Sequence, residues 1–179
     1  PLLVADVLEE AIREIRARTP RGIININTNG SRPKDVERLC KAGLQSIRVS
    51  MNSAQEEWYN PYYLPRNYSF GALKESLKTV RKYNGWASIN YFVYPGLTDS
   101  LPEFQALSQF IRDTGLNMIQ WRNFNIDPDW YLEKARIETI DDVMGVATLL
   151  QTLKTSFPHL AYGYFNPSAK TQQAHLQFS

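Results

Sequence analysis

Ser46-Ile47-Arg48-Val49-Ser50-Met51-Asn52-Ser53 is the stretch that decides the fold of this 179-residue chain. Apolar Ile47 and Val49 alternate with polar residues, which predicts a strand, and the strand ends in a polar segment. Side chains at the carboxyl ends of parallel strands face the crevice where ligands bind, so Ser50, Asn52 and Ser53 are predicted to face a site. Taken alone, the same residues could simply turn the chain, with Ser53 as the N-cap of the next helix.

Three other segments repeat this design, each a β-branched or aromatic run that ends in polar residues and precedes a helical pattern. The four predicted strands lie near 22–27, 46–50, 87–93 and 117–122. A fifth is expected near 160–165. This alternation predicts an α/β fold of parallel βα repeats with right-handed crossovers. An open doubly wound sheet and a partial barrel both fit the pattern, and the carboxyl ends of the strands should form one polar mouth.

Helices are predicted at 2–18, 33–42, 70–83, from Pro102 to Gly115, and at 139–155. Ser31 is the expected N-cap of the second helix, and Thr139 that of the last, with Asp142 in the capping-box position. The aromatic segment 58–68 is interpreted as packing beneath a long loop rather than as a lid. We expect one domain over 1–158, followed at 159–179 by the extra strand and a tail.

Composition excludes several functional classes. The sequence is 43% hydrophobic and 21% charged, with a net charge of +2 and no basic block, so nothing points to nucleic acid. It contains no apolar run of membrane-spanning length, and we expect a cytoplasmic protein. The single Cys40 cannot form an internal disulfide, and its helical spacing predicts a small buried hydrophobe.

The predicted strand ends are rich in amides and hydroxyls and poor in carboxylates. These candidate ligand-binding residues are Thr28, Asn29, Arg48, Ser50, Asn52, Ser53, Asn90, Arg122, Asn123, Asn125 and Asp127. Such groups suit hydrogen bonds to sugar hydroxyls, amino-acid carboxylates and base edges. They do not suit a divalent metal, because the two histidines, His159 and His175, lie far along the chain.

Two arginines inside predicted strands, Arg48 and Arg122, need a partner. An arginine within a strand is costly unless it pairs with an acid or binds an anionic ligand, whose carboxylate can take the guanidinium bidentately. The structural alternative is an internal salt bridge with Asp99 or Asp127. For Arg48 we favour ligand binding over a salt bridge, and for Arg122 the two interpretations have equal support.

Several segments together resemble the middle and later strands of a radical S-adenosylmethionine (SAM) enzyme. They are Asn27-Thr28-Asn29-Gly30, Ala42-Gly43-Leu44-Gln45-Ser46-Ile47-Arg48-Val49-Ser50-Met51-Asn52-Ser53, Tyr94-Pro95-Gly96-Leu97-Thr98-Asp99 and Ile119-Gln120-Trp121-Arg122-Asn123. The resemblance runs from residue 1 to about 130. It implies a partial TIM barrel in which a 4Fe-4S cluster, held by a CxxxCxxC loop, cleaves SAM to a 5′-deoxyadenosyl radical.

By position, the resemblance implies that Thr28 and Ser50 contact SAM, with Asn52 or Ser53 near the ribose. Arg48 would approach the SAM carboxylate. Asn90 would line the site, and the end of the last strand, including Arg122 and Asn123, would lie near the adenine or the substrate.

The sequence departs from the family at the cluster. One cysteine cannot supply three thiolates, and the Gly-Gly-Glu segment that grips the SAM amino group is missing. Pro1-Leu2-Leu3 resembles the residues that come directly after that segment in the family. We therefore expect a fragment of a longer enzyme, inactive by itself and acting, when complete, on an unknown small molecule or peptide.

Two other readings stay open. One is a cluster-free α/β domain that binds a small polar ligand or a partner protein without catalysis. The other is an aldolase-like barrel, which should carry a lysine base on a strand, whereas the lysines fall mostly on predicted helices. In a partial barrel, the strand 22–27 and the apolar face of helix 2–18 would be exposed, which predicts self-association.

Overall fold

The computed structural model describes residues 1–137, 140–163 and 166–176. The strands are β1 (Asn25–Thr28), β2 (Ser46–Met51), β3 (Trp86–Val93), β4 (Met118–Asn123) and β5 (Ala161–Tyr162). After a 3-10 turn at Leu2–Val4, the helices are α1 (Ala5–Arg18), α2 (Pro33–Ala42), α3 (Glu56–Tyr63), α4 (Phe70–Lys82), α5 (Leu101–Thr114), α6 (Pro128–Ala135), α7 (Val146–Ser156) and α8 (Ala169–Leu176).

The five strands form one parallel sheet in the order β1-β2-β3-β4-β5. Strand order therefore follows chain order, without the reversal that defines a doubly wound sheet. Helices α1, α2, α4 and α5 contact one another in sequence along one face of the sheet. This is the wall of a (β/α) barrel, so the α/β prediction is confirmed and the doubly wound alternative is wrong.

The two faces of the sheet differ in chemistry. Ile47, Val49 and Met51 of β2 point toward the helices and belong to the main hydrophobic core. Because side chains alternate along a strand, Ser46, Arg48 and Ser50 point to the opposite face. The register places polar residues of β3 and β4 on that same face. One side of the sheet is thus an apolar core, and the other is a polar inner wall.

The helices pack on the sheet through apolar stripes. Leu73, Leu77 and Val80 of α4 are fully buried, as are Leu107 and Phe110 of α5. Each such side chain stabilises the fold by about 1.5–3 kcal/mol relative to leaving it in water. These stripes fix the helices behind the strands and leave the inner wall for other contacts.

One predicted N-cap and one predicted helix start are wrong. The N-cap of α2 is Arg32, not Ser31, because the Asn29 side chain accepts a hydrogen bond from the Ser31 backbone and keeps that residue in the preceding turn. Helix α7 begins at Val146, after Gly145 at φ +83°. Residues 142–144 are instead held to the start of α5, where the Leu101 backbone donates to Asp142. The expected cap Thr139 lies outside the described residues.

Helices α3, α6 and α8 were not predicted, and α8 lies in the segment that was expected to be a tail. Helices α3 and α6 contact each other at the carboxyl edge of the sheet. Tyr59 of α3 is fully buried and stacks on Tyr63, in line with the packing interpretation of this aromatic segment. Within the described ranges, no helix is both long and apolar enough to cross a membrane.

Candidate functional site

The inner wall carries a hydrogen-bonded row of polar side chains that crosses three strands. Ser50, Asn90 and Gln120 are register partners on β2, β3 and β4. Asn90 donates from Nδ2 to Ser50 Oγ at 3.5 Å. Arg122 follows Gln120 by two residues on β4. Its guanidinium donates to Asn90 Oδ1 at 3.3 Å and to Gln120 Oε1 at 2.9 Å. The structure thus brings Ser50, Asn90 and Arg122 together, as predicted.

Arg48 lies deeper in the same wall and is 7% exposed. Its guanidinium donates to the side-chain oxygen of Asn166, a neutral partner from the C-terminal segment, and its Nε has no hydrogen-bond partner. Among the described residues, no carboxylate forms an ion pair with it. Burial, and secondarily the positive charge of Arg122, lower the pKa of Arg48. A buried guanidinium with these neighbours favours an anionic ligand.

The internal salt bridge considered for Arg48 is not formed. The Asp99 carboxylate accepts the Gly96 backbone N–H at 2.6 Å, and the Asp127 carboxylate accepts that of Trp130 at 2.8 Å. Asp127 is thereby the N-cap of α6. Both acids serve local turns rather than the inner wall.

Among the described residues, Arg48 Nε, Gln120 Nε2 and Asn52 Oδ1 are buried polar atoms without a protein hydrogen-bond partner. Gln120 is fully buried and Asn52 is 3% exposed. Each unsatisfied buried group costs about 1–3 kcal/mol. A ligand bound against the inner wall would provide the missing partners of these three atoms.

Asn52 and Ser53 are committed to the loop that follows β2. Asn52 Nδ2 donates to the Trp58 carbonyl at 2.7 Å and to the Tyr131 hydroxyl at 2.8 Å, which ties α3 to α6. Ser53 Oγ accepts the Gln55 backbone N–H, and the N-cap of α3 is Gln55 itself. Ser53 is therefore not the N-cap. Of this pair, Asn52 Oδ1 is the atom left for a ligand.

Thr28 is separated from the other candidates. It is the register partner of Val49, whose side chain belongs to the helix-facing core, so Thr28 points to that face. Its hydroxyl accepts the Gly30 backbone N–H at 3.2 Å and shapes the turn after β1. The prediction that Thr28 would join Ser50 at the site is not supported by this geometry.

Glu103 was missed by the sequence analysis. It lies in the first turn of α5, 1% exposed, and its two carboxylate oxygens accept four hydrogen bonds. The donors are Ser53 Oγ, the Ala54 backbone N–H, Gln55 Nε2 and the Tyr91 hydroxyl. Burial raises the pKa of Glu103 despite these donors. The sequence signal for Glu103 is Ser100, three residues earlier, whose hydroxyl accepts the Glu103 backbone N–H at the start of α5. The signal marks a helix start, whereas the Glu103 carboxylate binds the loop after β2.

Aromatic rings cover the carboxyl edge beside the polar wall. Phe92, the register partner of Arg122, contacts the edges of Tyr62 and Phe124 at centroid distances of 5.9 and 5.8 Å. Phe124 also contacts Tyr131 of α6 at 5.0 Å. Close by, a pocket of about 620 Å³ is lined by Phe92, Trp121, Arg122, Asn123 and Asn125. The predicted residues Asn123 and Asn125 thus lie at this pocket with Arg122.

This chain cannot hold an iron–sulfur cluster by itself. Cys40 is the single cysteine, is 8% exposed in α2, and burial raises its pKa to about 12. The prediction of a buried small hydrophobe is therefore confirmed for Cys40. In the part of the chain that the structure describes, no group of three histidine, cysteine or acidic side chains could bind a metal ion.

Comparison with known proteins identifies the family. The sequence model of the radical SAM superfamily matches residues 1–107, which is more than half of the sequence. The chain therefore belongs to the radical SAM superfamily. No curated protein matches it.

Solved structures share the fold at low sequence identity. Methylornithine synthase (PylB) superposes with a TM-score of 0.58 at 9% identity, over 88% of this chain and 44% of its own. HydG, a maturase of the [FeFe]-hydrogenase, gives 0.56 at 12% identity, over 96% and 40%. A radical SAM methyltransferase from Sphaerobacter thermophilus gives 0.54 at 15%, over 79% and 41%. The chain thus spans less than half the length of these relatives.

Proposed function

We propose that this chain forms the SAM-binding inner wall of a radical SAM enzyme, with Arg48 holding the SAM carboxylate. The observation that carries the proposal is the buried Arg48 guanidinium, which faces the polar wall with an unpartnered Nε and no ion pair among the described residues. A planar guanidinium suits a carboxylate because it can donate two parallel hydrogen bonds.

The other polar groups of the wall fit the rest of SAM. Ser50 and Asn90 offer a hydroxyl and an amide beside Arg48, and Gln120 Nε2 is a buried donor without a protein partner. Asn52 Oδ1 is an acceptor that suits a ribose hydroxyl. Asn123 at the pocket rim suits the adenine edge or the substrate. No acidic side chain is needed for any of these contacts.

When bound in the complete enzyme, a 4Fe-4S cluster would supply the electron that cleaves SAM to a 5′-deoxyadenosyl radical. Such a cluster needs three thiolates, and this chain contains one buried thiol, so the thiolates must come from outside these 179 residues. We infer that this chain alone binds SAM but does not consume it. The reducing cytoplasm is the compartment we propose for the protein, since free thiolates persist there.

Titration calorimetry tests the assignment of Arg48 with two matched ligands. SAM carries the amino-acid carboxylate, whereas 5′-methylthioadenosine lacks it. We expect Arg48→Gln to weaken SAM binding about tenfold or more, equivalent to at least ~1.4 kcal/mol, and to leave 5′-methylthioadenosine almost unchanged. Arg21→Gln removes an exposed arginine outside the inner wall and should change neither affinity.

Two outcomes would contradict the proposal. If SAM does not bind at millimolar concentration, the alternative of a domain for another polar ligand or a partner protein gains support. If SAM binds and Arg48→Gln weakens both ligands equally, the carboxylate is held elsewhere.

A further inference from the structure

The segment 166–176, here called the C-terminal strap, reaches the inner wall through Asn166. This residue follows β5 by four positions, and its side chain accepts a hydrogen bond from Arg48 on β2. Strands β3 and β4 separate β2 from β5 in the sheet. Neighbouring strands lie about 4.8 Å apart, so β2 is roughly 14 Å from β5 measured along the sheet. Because Arg48 is on the inner face, Asn166 lies over the polar wall.

Asn166 occupies half of the Arg48 edge that suits a carboxylate. In a guanidinium, the Nε–H and one N–H of Nη2 point the same way, and together they can donate two parallel hydrogen bonds to a carboxylate. Asn166 Oδ1 accepts from Nη2, while the adjacent Nε is buried without a partner. A single amide oxygen leaves that donor unsatisfied, whereas a carboxylate would satisfy both nitrogens. The amide oxygen therefore stands where one carboxylate oxygen of a ligand would bind.

The charges around Arg48 favour an anion over this amide. Arg48 is 7% exposed, and its partner Asn166 is neutral. Burial, and secondarily the positive charge of Arg122, lower the pKa of Arg48. A carboxylate in place of the amide oxygen would offset both effects, so an anionic ligand has an electrostatic advantage over Asn166.

Few contacts hold the strap on the wall. Several of its hydrogen bonds are internal, such as those from the Gln172 backbone N–H to the Ser168 carbonyl at 2.9 Å and from Gln172 Nε2 to the Pro167 carbonyl at 3.0 Å. Its helix α8 has eight residues and, among the described elements, no extensive contact with another helix or strand. Helices this short are marginal in water unless they are packed. Loss of the hydrogen bond to Arg48 should therefore loosen the strap.

We propose that the C-terminal strap closes the SAM site when no ligand is bound, with Asn166 as an intramolecular competitor of the SAM carboxylate. SAM would replace the amide oxygen on Nη2 of Arg48, add a hydrogen bond to Nε, and release the strap. The inference rests on the proposed function, because it takes Arg48 as the residue that holds the carboxylate. It deepens that function by naming how access to the site is regulated.

Two substitutions of Asn166 test the competition in opposite directions. Asn166→Ala removes the competing oxygen, and calorimetry should show SAM binding about threefold tighter or more, because a larger fraction of the protein is open. Asn166→Asp supplies an intramolecular carboxylate that pairs with Arg48, so SAM binding should weaken about tenfold or more. Both variants should change the affinity for 5′-methylthioadenosine far less, since this ligand has no carboxylate.

Matched controls make the same kinds of change elsewhere. Asn84→Asp adds the same charge in the exposed turn between α4 and β3, at the opposite end of the sheet from the mouth. Lys170→Ala truncates an exposed side chain of the strap itself. Both controls should bind SAM as the unsubstituted protein does. Circular dichroism and thermal unfolding report whether each variant is folded.

Hydrogen–deuterium exchange measures the strap directly. Without ligand, the backbone amides of 166–176 should exchange faster in Asn166→Ala and more slowly in Asn166→Asp than in the unsubstituted protein. This comparison does not depend on SAM. Saturating SAM should accelerate exchange in the strap of the unsubstituted protein, whereas saturating 5′-methylthioadenosine should not.

The outcomes separate the strap from the assignment of Arg48. If Arg48→Gln weakens SAM selectively while both Asn166 variants bind SAM like the unsubstituted protein, the proposed function stands and the strap is overturned. Equal acceleration of exchange by SAM and by 5′-methylthioadenosine also overturns competition for the carboxylate. Absence of SAM binding in every variant overturns the proposed function and this regulation together.

Discussion

Glu103 shows how one buried side chain positions the loop that borders the site. Its four donors come from three consecutive residues after β2 and from Tyr91 on β3. The carboxylate therefore joins the β2 loop to the start of α5 and to the sheet. Removing it would leave these buried donors without an acceptor, at about 1–3 kcal/mol for each that stays unsatisfied.

The raised pKa of Glu103 predicts a pH-dependent contribution to stability. In the unfolded chain this carboxyl titrates near 4.5, whereas burial raises its pKa in the folded protein. The folded state then holds the proton more tightly, so this contribution is complete below about pH 4.5 and is lost as pH rises through the folded pKa. Urea unfolding at a series of pH values should show the free energy of unfolding of wild type falling, relative to Glu103→Gln, by about 1.4 kcal/mol per unit of pKa shift.

The difference between the two proteins is the informative quantity, because every other titrating group is common to both. Stability curves of wild type and Glu103→Gln that run parallel through this range would show that Glu103 has the same pKa folded and unfolded. Exposed Glu57 provides a matched control, since Glu57→Gln removes a carboxylate that is in contact with solvent.

At the residue scale, sequence patterns located the polar wall but not every side chain on it. Side chains alternate along a strand, so the sequence could predict that one face carries Arg48, Ser50, Asn90 and Arg122. The face on which Thr28 lies could not be predicted, because it depends on the register between β1 and β2. That register pairs Thr28 with Val49. Glu103 could not be predicted either, because its four donors are assembled by tertiary contacts.

The elements predicted best are those with a strong internal period. Strands β2, β3 and β4 begin and end within one residue of their predicted limits, and α2, α4 and α5 follow clear apolar stripes. Helices α3 and α6 were missed because their segments are short and aromatic, with Pro61 inside α3 and Pro128 at the start of α6. Their helical form is stabilised by mutual contacts, such as the ring pair Tyr62 and Tyr131, that no local pattern reveals.

The turn between β1 and α2 allows a test at the element scale. Gly30 has φ +66°, and a Cβ there would lie 3.2 Å from Val49 Cγ2 and 3.3 Å from Leu73 Cα. Gly30→Ala should therefore incur both left-handed strain of about 1–2 kcal/mol and overpacking of about 1–3 kcal/mol. Gly22 has φ +78°, and a Cβ added there would have no neighbouring atom within 4 Å, so Gly22→Ala should incur the strain alone.

Chemical denaturation of both variants separates backbone strain from overpacking. Both variants replace a glycine of positive φ and share the strain, so the difference between their losses of stability reports the overpacking. A larger loss for Gly30→Ala is expected from its contacts with β2 and α4. Equal losses would mean that the turn relaxes away from Val49 and Leu73, and that its packing contributes nothing measurable.

At the scale of the whole molecule, strand order was the property that the sequence could not decide. Local periodicity is the same in a doubly wound sheet and in a barrel wall. The difference lies in which face each crossover helix covers, and this is settled by packing among α1, α2, α4 and α5. The resemblance to a family favoured the barrel before the structure did, because the family's motifs carry information about topology.

We propose that the chain self-associates through β1 and α1. Within the described residues, β1 is an edge strand with one side unpaired in the sheet, and an open edge is a template for pairing. On α1, Val7 is 65% exposed and Ile15 is 44% exposed, and exposed Leu3 and Val4 precede them. The apolar spacing of Leu3, Val7, Ile12 and Ile15 predicts one face of this helix. Of these four, Ile12 is buried and the other three are exposed, so they are available to a second copy.

Multi-angle light scattering should detect this association as a mass that increases with concentration above that of the 20.6 kDa monomer. Val7→Lys should shift the equilibrium toward the monomer, because burial of a charge at the interface is costly. Ala17→Lys, an exposed substitution away from Val7 and Ile15 on the same helix, adds the same charge and should leave the mass unchanged. A constant monomer mass at high concentration, or an equal response of both variants, would show that this surface does not bind a second copy.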